Sequence, residues 1–298
     1  MALNAEKSFI YSVHPAAAAI YFIFTVIAAM IASSPVITAL SLCCSAVLFF
    51  MLAKRKTFAT SIFFAFLSVL AITAVNPLVS HSGVTVLFMI GKTCFTLESL
   101  LYGLDFAILM TSVVFWCACA GSVITGDRTV YLLGGVLPRT ALLISMTVKY
   151  IPELARHARA IYRARRASGC DTEGGIKNAV ISGTRSFSTL VGTSLEGAAE
   201  TELSMRARGY GAGALGRYER YKFTFRDGAF IFAAGCFFAA ALTGKALGGR
   251  FEFYPSLSAV PYEMCDILLY VSFFALAIMP IVLEIIWRIK WKFYESKI

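Results

Sequence analysis

"YGLDFAILMTSVVFWCACAGSVIT", Tyr102–Thr125, carries one charged side chain, Asp105, in its entire length. A helix rises about 1.5 Å per residue, so this run is long enough to cross the roughly 30 Å hydrocarbon core of a bilayer. Inside hydrocarbon a helix satisfies every backbone N–H and C=O within the segment, which a lone strand cannot do. The stretch therefore reads as a membrane span. Five similar runs flank it: Ala16–Ser33, Val36–Ala53, Phe58–Val79, Ala229–Leu247 and Met264–Trp287. The whole chain is 58% hydrophobic and only 15% charged, with a mean hydropathy of +0.74, outside the range of soluble domains. The expected fold is an all-α polytopic membrane protein with about six transmembrane helices. The tight separator Ser33-Ser34-Pro35 makes the first two a hairpin. The leader sets Glu6 against Lys7 and no A-x-A site follows, so the first span is expected to be retained.

Positive charge orients the chain. Of 27 lysines and arginines, 24 fall in the leader, in Lys54-Arg55-Lys56, in the segment Asp127–Asp227 and in the tail from Arg288. Only Lys92, Lys245 and Arg250 fall in the remaining loops. Basic loops stay cytoplasmic, so both termini and the long middle segment are expected inside a bacterial or archaeal cell membrane. The net charge of +10 belongs to that face, and no recognition module accompanies it, so no nucleic-acid partner is expected. The organisation expected is an N-terminal membrane domain of four spans (1–126), a basic cytoplasmic domain (127–226) and a C-terminal membrane hairpin (227–298).

Between the third and fourth spans, "GVTVLFMIGKTCFTLES" (Gly83–Ser99) alternates apolar and polar residues and predicts a short external β-hairpin turning at Gly91-Lys92. Gly91-Lys92-Thr93 is no phosphate-binding loop, because Val86 stands where that motif needs its first glycine. The eight cysteines contain no C-x-x-C pair, so no metal site is expected; Cys94 and Cys265 both face outward and are expected to stay unpaired. His14, His81 and His157 are scattered, and no nucleophile–base constellation occurs, which argues against an enzyme. His157, one turn after Glu153, is expected in a helix-surface pair. Asp105 and Glu284 sit near span ends, where interfacial placement is expected rather than a proton relay. Neither inverted repeats nor midplane charges suggest a secondary transporter or channel, the rival transport class.

The middle segment is the most informative. "LPRTALLISMTVKYIPELARHARAIYRARRASG" (Leu137–Gly169) predicts a helix to about Ala167, with Leu154, Ala158, Ile161 and Arg165 on one face. Arg156, Arg159, Arg163 and Arg166 recur on another face, and Gly169 stops the helix. A second helix is predicted from about Ile176 to Ala207, with an apolar stripe of Leu190, Val191, Leu195, Ala198 and Leu203 and a Glu202–Arg206 pair. It ends at Arg208 before Gly209, Gly211 and Gly213. Two long cytoplasmic helices thus end alike, in arginine and alanine followed by glycine. The narrow tips suit a groove, and the guanidinium fork suits carboxylates within it.

These residues carry a resemblance. The stretch above and "EGAAETELSMRARGYGAGALGRYERYKFTFRD" (Glu196–Asp227) resemble the two coupling-helix regions of the T component of energy-coupling factor (ECF) transporters, the CbiQ-type proteins. "NPLVSHSG" (Asn76–Gly83) and "VHPAAA" (Val13–Ala18) fit the same family. The resemblance implies a non-catalytic membrane scaffold without a cofactor of its own. Two ABC-type ATPases would bind the ATP and grip the helix ends, and a membrane-embedded S component would select a vitamin or metal ion. Arg206, Ala207, Arg208 and Gly209 match the second docking motif. The first aligns as Ala167-Ser168-Gly169, with serine in place of arginine, leaving Arg165 or Arg166 to supply the charge. After His-Pro, Ala16, Ala17 and Ala18 replace a usual polar run. Leu154, Ile161, Leu195 and Leu203 are expected to pack against the S component or between the helices.

Overall fold

The computed structural model describes residues 9–32, 34–53, 55–79, 85–90, 93–169, 176–213, 221, 223–248 and 264–295. The chain divides into two compact units, Met1–Thr125 with Tyr221–Ile298, and Gly126–Arg220. The first contains helices α1 (Phe9–Ser12), α2 (Pro15–Ile31), α3 (Pro35–Leu52) and α4 (Arg55–Val79), then strands β1 (Val86–Ile90) and β2 (Thr93–Thr96), and α5 (Leu97–Val123). The second contains α6 (Gly126–Val136), α7 (Pro138–Ala167) and α8 (Ile176–Ala207); α9 (Phe225–Leu247) and α10 (Met264–Glu295) return to the first.

Prolines open several of these helices. Pro15, Pro35 and Pro138 each occupy the first turn, where their missing N–H costs nothing. Among the described residues, five helices are long and apolar enough to cross a membrane: α3, α4, α5, α9 and α10. The sixth expected span, α2, is a 17-residue apolar helix, at the short end of the spanning range. It is also the core of the unit, packing on α5, α9 and α10. Ala17, Ala18, Tyr21 and Phe22 are buried there, with Tyr21 and Phe22 against the ring of Trp116. Because positions 17 and 18 face this core, a polar run there would have to bury its side chains; alanine avoids that cost.

Several buried polar groups find partners inside the bundle. Trp116 Nε1 donates to Ser41 Oγ at 3.1 Å and Tyr21 OH to the Leu276 carbonyl at 3.1 Å. Glu284, expected near the interface, is instead fully buried. It is stabilised by the Phe9 N–H at 2.8 Å and by Arg288 Nε at 2.8 Å, since a guanidinium one turn on can reach back to a carboxylate. Asp105 is half-buried and accepts from the Thr38 hydroxyl at 2.5 Å.

The β-hairpin is present, antiparallel, with Phe88 opposite Phe95 and Ile90 opposite Thr93; Gly91 and Lys92 lie outside the described residues. Its base is fastened to α5. Buried Glu98 accepts from both the N–H and the hydroxyl of Thr85, and the Leu97 N–H donates to the Thr85 carbonyl. Cys265 is a free thiol, as expected.

Glycines permit two close helix contacts. A Cβ on Gly103 of α5 would lie 2.7 Å from the Cβ of Asn76 on α4, and Asn76 Nδ2 donates to the Ser99 carbonyl at 2.6 Å. A Cβ on Gly244 of α9 would lie 3.0 Å from the Cys265 carbonyl and the Leu269 backbone on α10. Gly121 of α5 has nothing within 4 Å. Accordingly, Gly103→Val and Gly244→Val should each lower stability by about 1–3 kcal/mol in thermal unfolding in detergent. Gly121→Ala should leave stability equal or slightly raised, because alanine is the better helix former. Equal losses at all three positions would refute the contact argument.

Candidate functional site

The second unit presents the predicted helix ends. α7 has 30 residues and α8 has 32, or about 45 and 48 Å. In α7, Leu154, Ala158, Ile161 and Arg165 are half-buried while Arg156, Arg159, Arg163 and Arg166 are exposed, as the spacing required. His157 is also exposed. The chain breaks at Leu137, between α6 and Pro138, while Gly134 and Gly135 stay helical.

Both helices end on a glycine in the left-handed region, Gly169 at φ 70° and Gly209 at φ 83°. Around Gly209 the Schellman pattern is complete: its N–H donates to the Arg206 carbonyl at 2.9 Å, and the Tyr210 N–H to the Met205 carbonyl at 3.0 Å. Around Gly169 the matching inner bond, to the Arg166 carbonyl at 3.2 Å, is formed. The two ends are therefore the same turn, with Ser168 standing where the other has Arg208. The Ser168 hydroxyl turns back onto the Ala164 carbonyl at 2.9 Å. Arg166 and Arg208 are exposed, and Arg165 is half-buried. Arg206 pairs with Glu202 as expected, at 2.5 Å and with both side chains largely in solvent. Such exposed pairs contribute little. Ala167 and Ala207 close their helices with exposed, small side chains.

Apart from Leu190 and Ala198, the α7–α8 contact uses residues that the apolar pattern did not select. The less exposed stripe of α8 runs through Ser182, Ser186, Leu190, Ser194, Gly197, Thr201 and Met205. Its hydroxyls donate to carbonyls one turn back: Ser186 to Ser182, Ser194 to Leu190 and Thr201 to Gly197. Spent in this way, they present a small, nearly apolar surface that admits close helix approach. Tyr150 OH meets Thr201 Oγ1 at 3.1 Å. Beside them is a groove of about 360 Å³ lined by Leu142, Met146, Met205 and Tyr210 among others. Leu195 and Leu203, by contrast, are each 68% exposed, so neither serves packing between α7 and α8. A spaced series of Ser, Gly and Thr was the available signal for the true contact face.

The first half of α7 lies beside the last third of α8. From the Tyr150–Thr201 contact, Gly169 lies about 28 Å along α7 and Gly209 about 12 Å along α8. Among the described residues, no group of three or more His, Cys, Asp or Glu could hold a metal ion.

A bundle of apolar helices long enough to span a membrane, with a second, basic unit whose helices end in arginine-bearing turns, defines a multi-pass membrane protein. A family model described as CbiQ, cobalt transport protein, matches residues 6–216, and the chain belongs to that family. The matched residues include both tips. No curated protein matches the chain.

Gly209 offers a direct check on the tip geometry. An L-side chain in the left-handed region costs about 1–2 kcal/mol, and asparagine tolerates it better than a β-branched residue. Gly209→Val should accelerate amide exchange across the last turn of α8, Gly209→Asn much less, with the membrane unit unaffected in both. Identical exchange in wild type and Gly209→Val would refute the turn assignment.

Proposed function

We propose that this protein is the transmembrane scaffold, the T component, of an ECF-type ABC importer in a prokaryotic cell membrane, with both termini in the cytoplasm. Two cytoplasmic ATPases bind ATP and grip the tips of α7 and α8, and their movement is passed through these helices to an S component in the membrane. The cargo is a micronutrient, either a vitamin or a metal ion such as the cobalt of the family's description. The observation that carries this reading is the repeated tip: a left-handed glycine closing the last turn, with arginines beside it, at the ends of two helices. Arg206, Ala207, Arg208 and Gly209 form one anchor, and Arg165, Arg166, Ala167, Ser168 and Gly169 the other. Leu195 and Leu203, exposed on the opposite side of α8 from its small-residue stripe, are suited to a membrane partner; Leu154 and Ile161 support α7.

The anchor is tested by co-purification in detergent. Arg208→Ala should weaken ATPase binding by about 2–4 kcal/mol if the partner carboxylate is left buried. Arg206→Ala should act in the same direction but less, because Arg206 already spends part of its charge on Glu202. Undiminished ATPase recovery with the double variant would refute the docking role. The lever is tested separately. Leu195→Glu should keep the ATPases bound and hydrolysing while uptake or S-component association is lost, since a carboxylate in a dry interface costs several kcal/mol. Normal uptake in that variant would refute the lever while leaving the anchors standing.

A further inference from the structure

α10 has 32 residues, about 48 Å, against a hydrocarbon core of roughly 30 Å. Its apolar span ends at Trp291, so Arg288, Lys290 and Lys292 fall at the depth where lipid phosphates lie. Arg288 is fixed there: its Nε is 2.8 Å from buried Glu284 and its Nη2 donates to the Met51 carbonyl at the end of α3 at 2.6 Å. Three residues past Met51 the sequence reads Lys54-Arg55-Lys56, and α4 begins at Arg55. Arg288 thereby ties α10 to the end of α3, 237 residues away along the chain, and both sequences carry cations near the tie. The acids of these two segments are Glu284, which Arg288 already uses, and Glu295. Apolar side chains interleave with the charges: Ile289 is 65% exposed, Trp291 48% and Phe293 62%. Arg288 and Trp291 share one face of the helix, and Ile289 and Phe293 the next.

We propose that this corner binds an anionic phospholipid of the bilayer. Its headgroup phosphate lies against Arg288 and the neighbouring lysines, and its acyl chains run down along Ile289 and Phe293. Cations at a cytoplasmic helix end follow from orientation alone. A guanidinium held in place by a buried carboxylate, set between exposed aromatics, is a more specific arrangement, and it matches a ligand that is anionic at one end and apolar at the other. A soluble phosphate would use only the charges, and an acidic protein would have to reach side chains at lipid depth. The assignment depends on the membrane-spanning reading of α10 and is independent of any ATPase or S component.

Bromine quenches tryptophan fluorescence on contact, and Trp291 is at the site. The full chain is reconstituted in phosphatidylcholine vesicles containing a minor fraction of dibrominated phosphatidylglycerol or, in parallel, dibrominated phosphatidylcholine. The contribution of Trp291 is taken as the difference from Trp291→Phe. Phosphatidylglycerol should quench Trp291 preferentially, and Lys290→Gln with Lys292→Gln should reduce that preference by about fivefold for each charge removed. Lys290→Arg with Lys292→Arg should keep it, which separates charge from folding. Equal quenching by the two lipids, an unchanged preference in the glutamine variant, or loss of preference in the arginine variant would overturn the proposal. So would abolition of the preference by excess soluble glycerol phosphate, which would assign the site to a free phosphate.

Discussion

Hydrocarbon offers no hydrogen bonds, and the membrane unit is organised by that constraint. Buried polar groups that help define the bundle are answered across it or one turn along: Trp116 by Ser41, Tyr21 by the Leu276 carbonyl, Glu284 by Phe9 and Arg288. The clearest case joins two helix starts. Asp227 and Thr224 form a capping box on α9, and the second oxygen of Asp227 accepts the His14 N–H at 3.1 Å. His14 in turn caps α2 through Nδ1, which accepts the Ala16 N–H at 3.2 Å, and its ring packs edge-on against Phe223. Residues 213 positions apart thus satisfy each other's helix ends, and α2 and α9 cannot slide relative to one another without exposing bare donors.

The same constraint explains the quoted fragments of the family pattern. His14-Pro15 is an N-cap followed by a proline at the first helical position. Asn76-Pro77 lies where α4 crosses α5 over Gly103, and the asparagine supplies a hydrogen bond to the Ser99 carbonyl as the chain leaves the helix. These residues are structural joints of the membrane unit. The α7 and α8 tips belong to a different category: Arg166, Arg206 and Arg208 are exposed, which on the proposed function is how a surface that takes a partner differs from a joint.

Much of this was legible in the sequence because it is carried by period and punctuation. Long apolar runs mark the spans, glycines after arginines mark the tips, and the buried and exposed faces of α7 follow from its arginine spacing. Legibility failed where a residue's polarity in the chain differs from its polarity in the fold. Ser194 and Thr201 look hydrophilic, yet their hydroxyls are spent on their own helix, and so the packed face of α8 was assigned in part to Leu195 and Leu203, which lie outside it. Glu284 looks interfacial, yet its partners are the backbone of Phe9, far away in sequence, and an arginine one turn on. No local pattern reports the first of these.

The two tips also differ in a way that their shared turn brings into focus. At the end of α8 the residue before glycine is Arg208, at the helix C-terminus where the macrodipole favours a cation. At the end of α7 that position is Ser168, whose hydroxyl is tied to Ala164, and the nearest cations are Arg166 and Arg165, two and three residues back. A helix turns about 100° per residue, so those guanidiniums leave the helix in directions that Arg208 does not use. Receptors of identical shape would meet charge at different places on the two tips. On the proposed function, the second tip is therefore the stronger and more direct anchor. The first relies on the backbone turn for its shape and on the arginine face of α7 for its charge. An importer whose two ATPases are held by unequal grips has a built-in asymmetry between them, and the helix carrying the weaker grip is also the one whose last three turns are most basic.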